Sequence, residues 1–240
     1  MRDGERSQIA YYERTASEYN VMHVGEADEH AFALHVAMGM FDYLGIESVL
    51  DVGSGTGRAL SLINRWRPNV RVVGVEPVKE LREQGYKNGL STEQLIEGNG
   101  RKLPYEDGQF DMVCEFGVLH HVDRPDIVVK EMIRVARKAV FLSDCNIYGD
   151  RSPSASFAKN LLRLFGLWKL AVFARTCGKG YVFTEVDGVS YYYSVFDSFE
   201  LLQSASSSVH FINTNPWTGV GKNMLWTADA VAMLGVIKQK

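Results

Sequence analysis

The chain has 240 residues, of which 46% are hydrophobic and 23% charged, with a formal net charge of −3 at pH 7. That balance is typical of a folded globular domain; it excludes a disordered, collagen-like or coiled-coil chain and gives no reason to expect nucleic acid as a partner. With three cysteines and a charged amino terminus, we expect neither a disulfide framework nor a signal peptide, and therefore a cytoplasmic protein.

Residues 1–45 carry apolar side chains at helical spacing and are predicted to form helical pieces. A short apolar run, 48–52, is predicted as a strand that ends at the glycine-rich turn 53–57, and a helix follows. Strands and helices then alternate, with further strands predicted at 70–75, 94–97, 110–115 and 139–143. This alternation is typical of right-handed βαβ units and predicts a doubly wound, parallel α/β sheet.

The alternation stops after Asp144. An apolar helical segment and an aromatic, glycine-containing stretch follow, and the chain then returns to a helix (196–204) and two strands (209–214 and 230–237). We interpret the chain as one domain with an inserted cap. Its predicted parts are a helical lid (1–45), a core (46–145), the cap (146–195) and the last helix and strands of the sheet (196–240).

The glycine-rich turn is the first sign of a ligand site. Gly53, Gly55 and Gly57 allow the chain to turn tightly and let a ligand approach the backbone. Glu76 closes the next strand, 19 positions after Gly57, where a carboxylate can accept hydrogen bonds from both hydroxyls of a ribose. The glycines do not follow the dinucleotide pattern GxGxxG, and Asp51 before them suits a cation better than a pyrophosphate. The turn therefore favours a nucleoside that carries positive charge.

Four segments in register resemble the signature motifs of class I S-adenosylmethionine-dependent methyltransferases. They are LDVGSGTG at 50–57, VGVEP at 73–77, the stretch 98–113, and VLHHV at 118–122 with EMIRV at 131–135. The resemblance covers roughly residues 48–145. It implies a Rossmann-like, seven-stranded, mostly parallel sheet, S-adenosylmethionine as the cofactor, S-adenosylhomocysteine as the product, and methyl transfer as the reaction.

The resemblance also implies roles for single residues. The three glycines would wrap the methionine part of the cofactor, with Asp51 near its ammonium group, and Glu76 would hold the ribose. Asn99 stands where such proteins commonly carry Asp, and its carbonyl can still accept from the adenine amino group. The cofactor contacts implied in this way are Tyr11, Tyr19, Asp51, Gly53, Ser54, Gly55, Gly57, Glu76, Pro77, Asn99, Gly100, Arg101, Glu115 and Phe116.

Methyl transfer to a hydroxyl needs an acceptor held in line and a group that takes its proton. His120 and His121 follow the fourth strand and Asp144 ends the fifth, so all three are predicted at the ligand-binding edge of the sheet, as catalytic residues. We expect only one of the adjacent histidines to face the pocket; either could instead bond the backbone of the turn. Because no acidic cluster accompanies Asp144 and Asn146, we expect no metal.

Six basic residues and no acidic one lie between residues 151 and 184, among many apolar side chains. Three uses remain open: a core helix with a basic outer face, a lid that binds an anionic acceptor, or peripheral contact of 157–175 with the inner face of a membrane. Because apolar residues occur nearly all round the predicted helix, its sequence favours burial.

The acceptor is predicted from weaker signals. Tyrosines at 191–193 close to Asp187 are typical of sugar sites, and the layout is similar to small methyltransferases of sugar and surface-polysaccharide biosynthesis. We therefore expect an O-methyltransferase that acts on a hydroxyl of a small sugar or glycan precursor. A lipid or quinone methyltransferase that uses the basic apolar cap, and a non-catalytic S-adenosylmethionine-binding protein, remain as alternatives.

Overall fold

The computed structural model describes residues 3–25, 28–149, 152–215 and 223–239. The strands within these ranges are β1 (Ser48–Val52), β2 (Arg71–Glu76), β3 (Leu95–Glu97), β4 (Phe110–Phe116), β5 (Ala136–Cys145), β6 (Tyr181–Thr184), β7 (Gly188–Tyr191), β8 (Ser206–Asn213) and β9 (Ala230–Ile237). The α-helices are α1 (Asp3–Thr15), α2 (Tyr19–His23), α3 (Glu29–Gly39), α4 (Phe41–Leu44), α5 (Arg58–Trp66), α6 (Lys79–Lys87), α7 (Pro125–Val135), α8 (Pro153–Leu164), α9 (Trp168–Arg175), α10 (Phe199–Ala205) and α11 (Met224–Thr227). Two 3₁₀ turns, Leu119–His121 and Val195–Ser198, complete the regular elements of this part of the chain.

The main sheet has seven strands in the order β3-β2-β1-β4-β5-β9-β8. Strands β1 to β5 pair in parallel, and β9 runs antiparallel to both β5 and β8. This confirms the predicted doubly wound, mostly parallel, Rossmann-like sheet. The strand order reverses between β1 and β4, and ligands bind at such a switch point, outside the carboxyl ends of the strands.

Helices cover both faces of the sheet, and therefore every residue of β1 is buried. Alternate residues of the strand serve different cores. Leu50 belongs to the same apolar cluster as Met132 of α7, whereas Val49 belongs to the cluster that contains Leu34 of α3 and Ile63 of α5. This double core fixes the carboxyl ends of β1, β2 and β4 relative to one another.

The lid and the cap meet above that edge. Helix α1 contacts both α6 of the core and β7 of the cap. The cap consists of α8, α9 and the antiparallel hairpin β6–β7. No helix in the described residues is both long enough and apolar enough to span a membrane.

The packing of the cap helices differs from the burial that their sequence favours. Helix α9 contains no buried residue, and its Leu170 and Phe173 side chains are more than half exposed. The inner side of α8 buries Ser156 and Asn160 instead, because these polar side chains donate to backbone carbonyls beneath the helix. Arg151, counted above among the basic residues of this segment, lies outside the described residues.

Candidate active site

The glycine-rich turn after β1 forms the floor of the site. Gly53, Gly55 and Gly57 have φ angles of 76°, 56° and 81°, a region that side chains with a Cβ rarely adopt. A Cβ added to Gly55 would lie 2.8 Å from the hydroxyl of Tyr19, which belongs to the lid. The bare backbone at Gly55 therefore leaves a cradle between the turn and the lid that any side chain would fill.

Glu76 ends β2 with a fully buried carboxylate beside this cradle. Its Oε2 accepts from the backbone N–H of Gly55 and its Oε1 from that of Val78, both at 2.9 Å. Burial raises the pKa of Glu76 to about 7, although these two hydrogen bonds act to lower it. Because a carboxylate oxygen has more than one lone pair, each can accept a further hydrogen bond from a ligand hydroxyl.

A cavity of about 920 Å³ opens between the glycine turn, the ends of β2 and β4, and the lid. Nine of the fourteen predicted cofactor contacts line it: Tyr19, Gly53, Gly55, Glu76, Pro77, Asn99, Gly100, Arg101 and Phe116. Apolar side chains complete the walls, among them Val52, Val78, Leu81 and Val122. Mostly apolar walls with a few polar groups are typical of a small-molecule or cofactor site.

Four predicted contacts support this cavity from behind its walls. The carboxylate of Asp51 is buried 3.9 Å from the thiol of Cys114, and the hydroxyl of Ser54 donates to the carbonyl of Asp51 at 3.0 Å. Gly57 is the N-cap residue of α5. Glu115 accepts from the backbone N–H of Ser143 at 2.8 Å and so links β4 to β5. These residues shape the turn and the strand ends without lining the cavity.

The lid presents Tyr12, rather than the predicted Tyr11, to the cavity. Tyr11 points to the cap and donates its hydroxyl to the carbonyl of Val186 at 2.7 Å. Consecutive residues on a helix point about 100° apart, so one of two adjacent tyrosines turns away from the site. The rings of Tyr12 and Tyr19 lie 5.6 Å apart in an edge-to-face arrangement, with His23 4.9 Å from Tyr19.

The loop after β3 closes the side of the cavity near the lid. The Oδ1 of Asn99, which the sequence assigns to an adenine amino group, accepts from the backbone N–H of Arg101 at 2.9 Å. The guanidinium of Arg101 pairs with Glu5 of α1 at 3.3 Å and with Asp123. Arg101 therefore ties the lid to the core at the mouth of the cavity.

Asp144 and His120 form a buried pair next to the site. The Nδ1 of His120 lies 2.7 Å from the Oδ1 of Asp144, whose other oxygen accepts from the backbone N–H of Leu119 at 2.8 Å. Burial alone would lower the pKa of His120, but the charge and hydrogen bond of Asp144, joined by Asp187, raise it to about 10. The same pairing outweighs burial at Asp144 and lowers its pKa to about 2. Neither residue lines the cavity.

His121 is the histidine that reaches the cavity. Its Nδ1 lies 2.6 Å from the carbonyl oxygen of Val189, a distance that requires Nδ1 to carry the proton and donate. Its Nε2 lies 3.1 Å from the hydroxyl of Tyr12. Burial, together with the positive charge of His120, lowers the pKa of His121 to about 4. The ring is therefore neutral at physiological pH, with the lone pair on Nε2.

Two residues that sequence reasoning did not assign to the site complete it. Asp187, in the turn between β6 and β7, lies 3.5 Å from the Nε2 atoms of both His120 and His121. Gln8 of α1 lines the cavity and accepts from the backbone N–H of Val189. Neither could be found from local spacing, because Asp187 is 66 positions from His121 and Gln8 is 113 positions from it.

The residues at this edge fit S-adenosylmethionine. The cradle at Gly55 admits a ligand against bare backbone, and the Glu76 carboxylate offers acceptors for two ribose hydroxyls. The carboxylates of Asp51 and Glu76 are the kind of groups that favour a cationic ligand, and Phe116 and Val122 supply an apolar wall.

Comparison with known proteins agrees with this geometry. The family described as "Methyltransferase domain" matches residues 50–143. The chain is 33% identical over 132 residues to a phosphatidylethanolamine N-methyltransferase from Cereibacter sphaeroides, covering 48% of this chain and 58% of that protein. It is 30% identical over 166 residues to a demethylmenaquinone methyltransferase from Bacillus cytotoxicus, covering 65% of this chain and 70% of that protein.

Solved structures show the same fold at lower identity. The DhpI-SAM-HEP complex superposes with a TM-score of 0.64 at 19% identity, covering 98% of this chain and 99% of that one. A possible histamine N-methyltransferase from Thermotoga maritima superposes with a TM-score of 0.59 at 17% identity, covering 96% of this chain and all of that one. On its sequence match, its sheet and its cofactor-shaped cavity, this chain belongs to the class I S-adenosylmethionine-dependent methyltransferases.

Proposed function

We propose that the chain transfers a methyl group from S-adenosylmethionine to a hydroxyl of a small lipid- or quinone-class acceptor, with His121 as the general base. The observation that carries the proposal is the orientation of His121. The bond from Nδ1 to the carbonyl of Val189 fixes the tautomer, so that Nε2 offers its lone pair at the cavity wall. The hydroxyl of Tyr12 lies 3.1 Å from Nε2, at the position that the hydroxyl of an acceptor would take.

Bound S-adenosylmethionine supplies an electrophilic methyl group on a sulfonium. Nε2 of His121 would take the proton of the acceptor hydroxyl as its oxygen receives that methyl group, with S-adenosylhomocysteine as the leaving group. The low pKa of His121 keeps this atom unprotonated before the reaction. Asp187, 3.5 Å from Nε2, stabilises the imidazolium as it forms.

His120 and Asp144 act in this proposal as positioning residues. Asp144 accepts from the backbone N–H groups of Leu119 and His120 and so holds the 3₁₀ turn that carries both histidines. The charged ring of His120 lies against that of His121, with the ring centroids 3.9 Å apart and the ring planes tilted by 47°. Together they fix where His121 meets the acceptor, without touching it.

The acceptor class is supported by the cap. Large apolar side chains of α8 and α9 are exposed on the cap, whose hairpin contacts His121, and a lipid-soluble acceptor would require such a surface. The printed names of two relatives refer to membrane lipids, phosphatidylethanolamine and demethylmenaquinone. A cytoplasmic location, with contact between residues 157–175 and the inner face of a membrane, is part of this proposal.

A sugar or glycan precursor is the second candidate. The rings of Tyr181 and Tyr191 lie 5.6 Å apart on the hairpin whose turn carries Asp187. Rings that can stack on a pyranose beside a carboxylate acceptor are a common arrangement in sugar sites. The chain spans 58% and 40% of the first two relatives it matches, so their acceptors do not transfer to it directly.

A transfer assay separates these candidates. Methyl-labelled S-adenosylmethionine is incubated with the protein and an extract of its native host, and the products are partitioned between organic solvent and water. We expect label in the organic phase. Enzyme-dependent label that stays in the aqueous small-molecule fraction would favour the sugar candidate, and no transfer with any extract would leave only a cofactor-binding protein.

The role of His121 is tested with the same assay once an acceptor is in hand. His121→Ala should lower kcat by about 10²–10⁴-fold, because the hydroxyl proton loses its acceptor, while the affinity for S-adenosylhomocysteine changes little. His210→Ala is the matched control, since His210 is exposed on β8 and bonds to Ser208. An unchanged kcat in His121→Ala would refute the general-base assignment.

A further inference from the structure

Helix α8 is amphipathic, but its polar side faces the protein and its apolar side faces outward. Its inner side buries Ser156 and Asn160, whose side chains donate to the backbone carbonyls of Tyr148 and Trp226. Its outer side carries Phe157, Leu161 and Leu164, and Leu164 is 79% exposed. A helix usually buries its apolar stripe and exposes polar residues. Within the described part of the chain, the outer side of α8 therefore lacks an apolar covering.

The apolar surface continues beyond α8. Phe165 and Leu167 in the connection to α9, and Leu170 and Phe173 in α9, are each about half exposed or more. A groove of about 880 Å³ between α8 and α11, lined by Phe157, Leu161, Leu164, Leu225 and Trp226, extends the surface sideways. We call the outer sides of α8 and α9 with this groove the cap face. Contiguous apolar patches of this kind mark interaction sites.

The segment that forms the cap face carries charge of one sign. Between residues 152 and 184 the chain has five basic residues and no acidic residue, although the whole protein has a net charge of −3. Arg163 lies 4.0 Å from Asp197 and over the ring of Tyr148, and the remaining positive charges are those of Lys159, Lys169, Arg175 and Lys179. Lysine and arginine beside exposed leucine and phenylalanine is the composition of helices that lie in the interface of an anionic membrane. The positive side chains would meet lipid phosphates while the apolar side chains enter the acyl layer.

A second copy of the chain fits this face less well. A symmetric dimer places the same patch of both subunits together, so the basic residues of one cap would face those of the other. No acidic residue between 152 and 184 could compensate this repulsion. An anionic bilayer satisfies both the charge and the apolar surface.

We propose that the cap face docks on an anionic phospholipid bilayer, with the apolar side chains of α8 and α9 immersed at the interface. The proposal rests on the proposed function, because it names where the acceptor is met. It also follows from the connectivity of the cap. The chain passes from α9 into the β6–β7 hairpin, whose Asp187 and Val189 contact His121, and Phe183 of that hairpin packs edge-to-face against Tyr11 of the lid.

Vesicle flotation tests the proposal without any acceptor. The protein is mixed with vesicles of phosphatidylcholine alone or of phosphatidylcholine with phosphatidylglycerol, and the floated fraction is measured at low and high salt. We expect binding to the phosphatidylglycerol vesicles that weakens with salt, and little binding to phosphatidylcholine. Protein that stays in solution with both vesicles would overturn the proposal.

A matched pair of double variants locates the contact. Leu164→Glu with Leu170→Glu should lower the bound fraction at least about tenfold, because two exposed leucines no longer enter the bilayer. Tyr43→Glu with Trp66→Glu adds the same charge at two exposed apolar side chains outside the cap, and should bind as the parent does. Equal loss in both pairs would mean that net charge, and not the cap face, directs binding.

Two further measurements make each outcome decisive. S-adenosylhomocysteine affinity should be unchanged in both double variants, which shows that the cofactor side is folded and keeps a failed docking result separate from a failed catalytic assignment. Sedimentation velocity should show the parent chain as a monomer at micromolar concentration. A dimer that the Leu164→Glu and Leu170→Glu changes dissociate would overturn the proposal in favour of a second copy as the partner.

Discussion

The cofactor side of the sheet and the cap both bury polar side chains. Their apolar side chains differ, because those of the cofactor side are covered and many of those of the cap are exposed. On the cofactor side, Glu76, Glu115 and Asp144 are buried and held by backbone N–H groups, and the apolar strands around them are covered by helices. In the cap, Ser156 and Asn160 are buried while large apolar side chains face outward. Among the described residues, protein covers the apolar strands of the cofactor side, whereas it leaves large apolar side chains of the cap exposed.

The largest expected effect lies on the cofactor side and concerns Asp144. Asp144→Asn should lower the free energy of unfolding by about 3–5 kcal/mol, because it removes one partner of a buried charged pair with His120. Urea denaturation at pH 6 measures the change. Asp187→Asn is the control, since the side chain of Asp187 is partly exposed and its loss should cost less. An equal loss of unfolding free energy in the two variants would contradict the distinction between the buried pair of Asp144 with His120 and the partly exposed contact of Asp187.

The pH dependence of that pair has a definite sign. The pKa of Asp144 is lowered to about 2, so its contribution is present above its unfolded pKa of about 3.9 and is lost as the pH falls through about 2. The pKa of His120 is raised to about 10, so its contribution is present below about 6.5 and is lost as the pH rises through about 10. The loss of unfolding free energy in Asp144→Asn should therefore be largest between about pH 4 and pH 6.5.

The next largest effect concerns the ribose acceptor. Glu76→Ala should weaken binding of S-adenosylhomocysteine by about 1.5–3 kcal/mol, or about 10–150-fold, because it removes the charged acceptor of two hydroxyls. Isothermal titration calorimetry measures the affinity, with Glu93→Ala, an exposed glutamate outside the cavity, as the control. An unchanged affinity in Glu76→Ala would remove the ribose assignment.

The cofactor side could be predicted from the sequence because its signals are local. The turn 53–57 and Glu76 lie within one βαβ unit, and their spacing alone places them at one edge of the sheet. Strand β9 was predicted with the bounds that the structure shows, Ala230–Ile237. Local spacing could not show in which direction each side chain of an element points. Tyr11 and Tyr12, like His120 and His121, are adjacent, and packing decides which of each pair reaches the cavity.

The cap could not be predicted in the same way because its contacts are non-local. Ser156 reaches the carbonyl of Trp226, 70 positions away, and Asp187 reaches His121. The sequence pattern shows that apolar residues occur nearly all round the predicted helix, but not which side of α8 meets the protein. The helix is docked by hydrogen bonds from small polar residues, and hydrophobic periodicity carries no information about such contacts.

A smaller effect tests which side of α8 packs against the protein. Ser156→Ala should lower the free energy of unfolding by about 1–2 kcal/mol, because the hydroxyl that bonds two carbonyls at 2.8 Å is lost. Leu164→Ser, on the outer side of the same helix, should change it by no more than about 0.5 kcal/mol in the absence of vesicles. Thermal or urea unfolding of both variants measures the difference. A larger cost at Leu164 would mean that its side chain is covered by protein in solution.

The smallest expected effect is a change of cofactor affinity with pH, which arises from Glu76 on the cofactor side. Burial raises the pKa of Glu76 to about 7, and only the ionised carboxylate can accept from both ribose hydroxyls. The affinity for S-adenosylhomocysteine should therefore fall by up to about tenfold from pH 8 to pH 6. Titration calorimetry at pH 6, 7 and 8 measures it, and Glu76→Gln should bind weakly with little slope. A slope that persists in Glu76→Gln would place the titrating group at Asp51 instead, whose pKa burial raises to about 6.

Vesicle binding through the cap face should not follow this titration, because the lysines and arginines of the cap face stay charged throughout. The two regions can therefore be distinguished in one series of buffers.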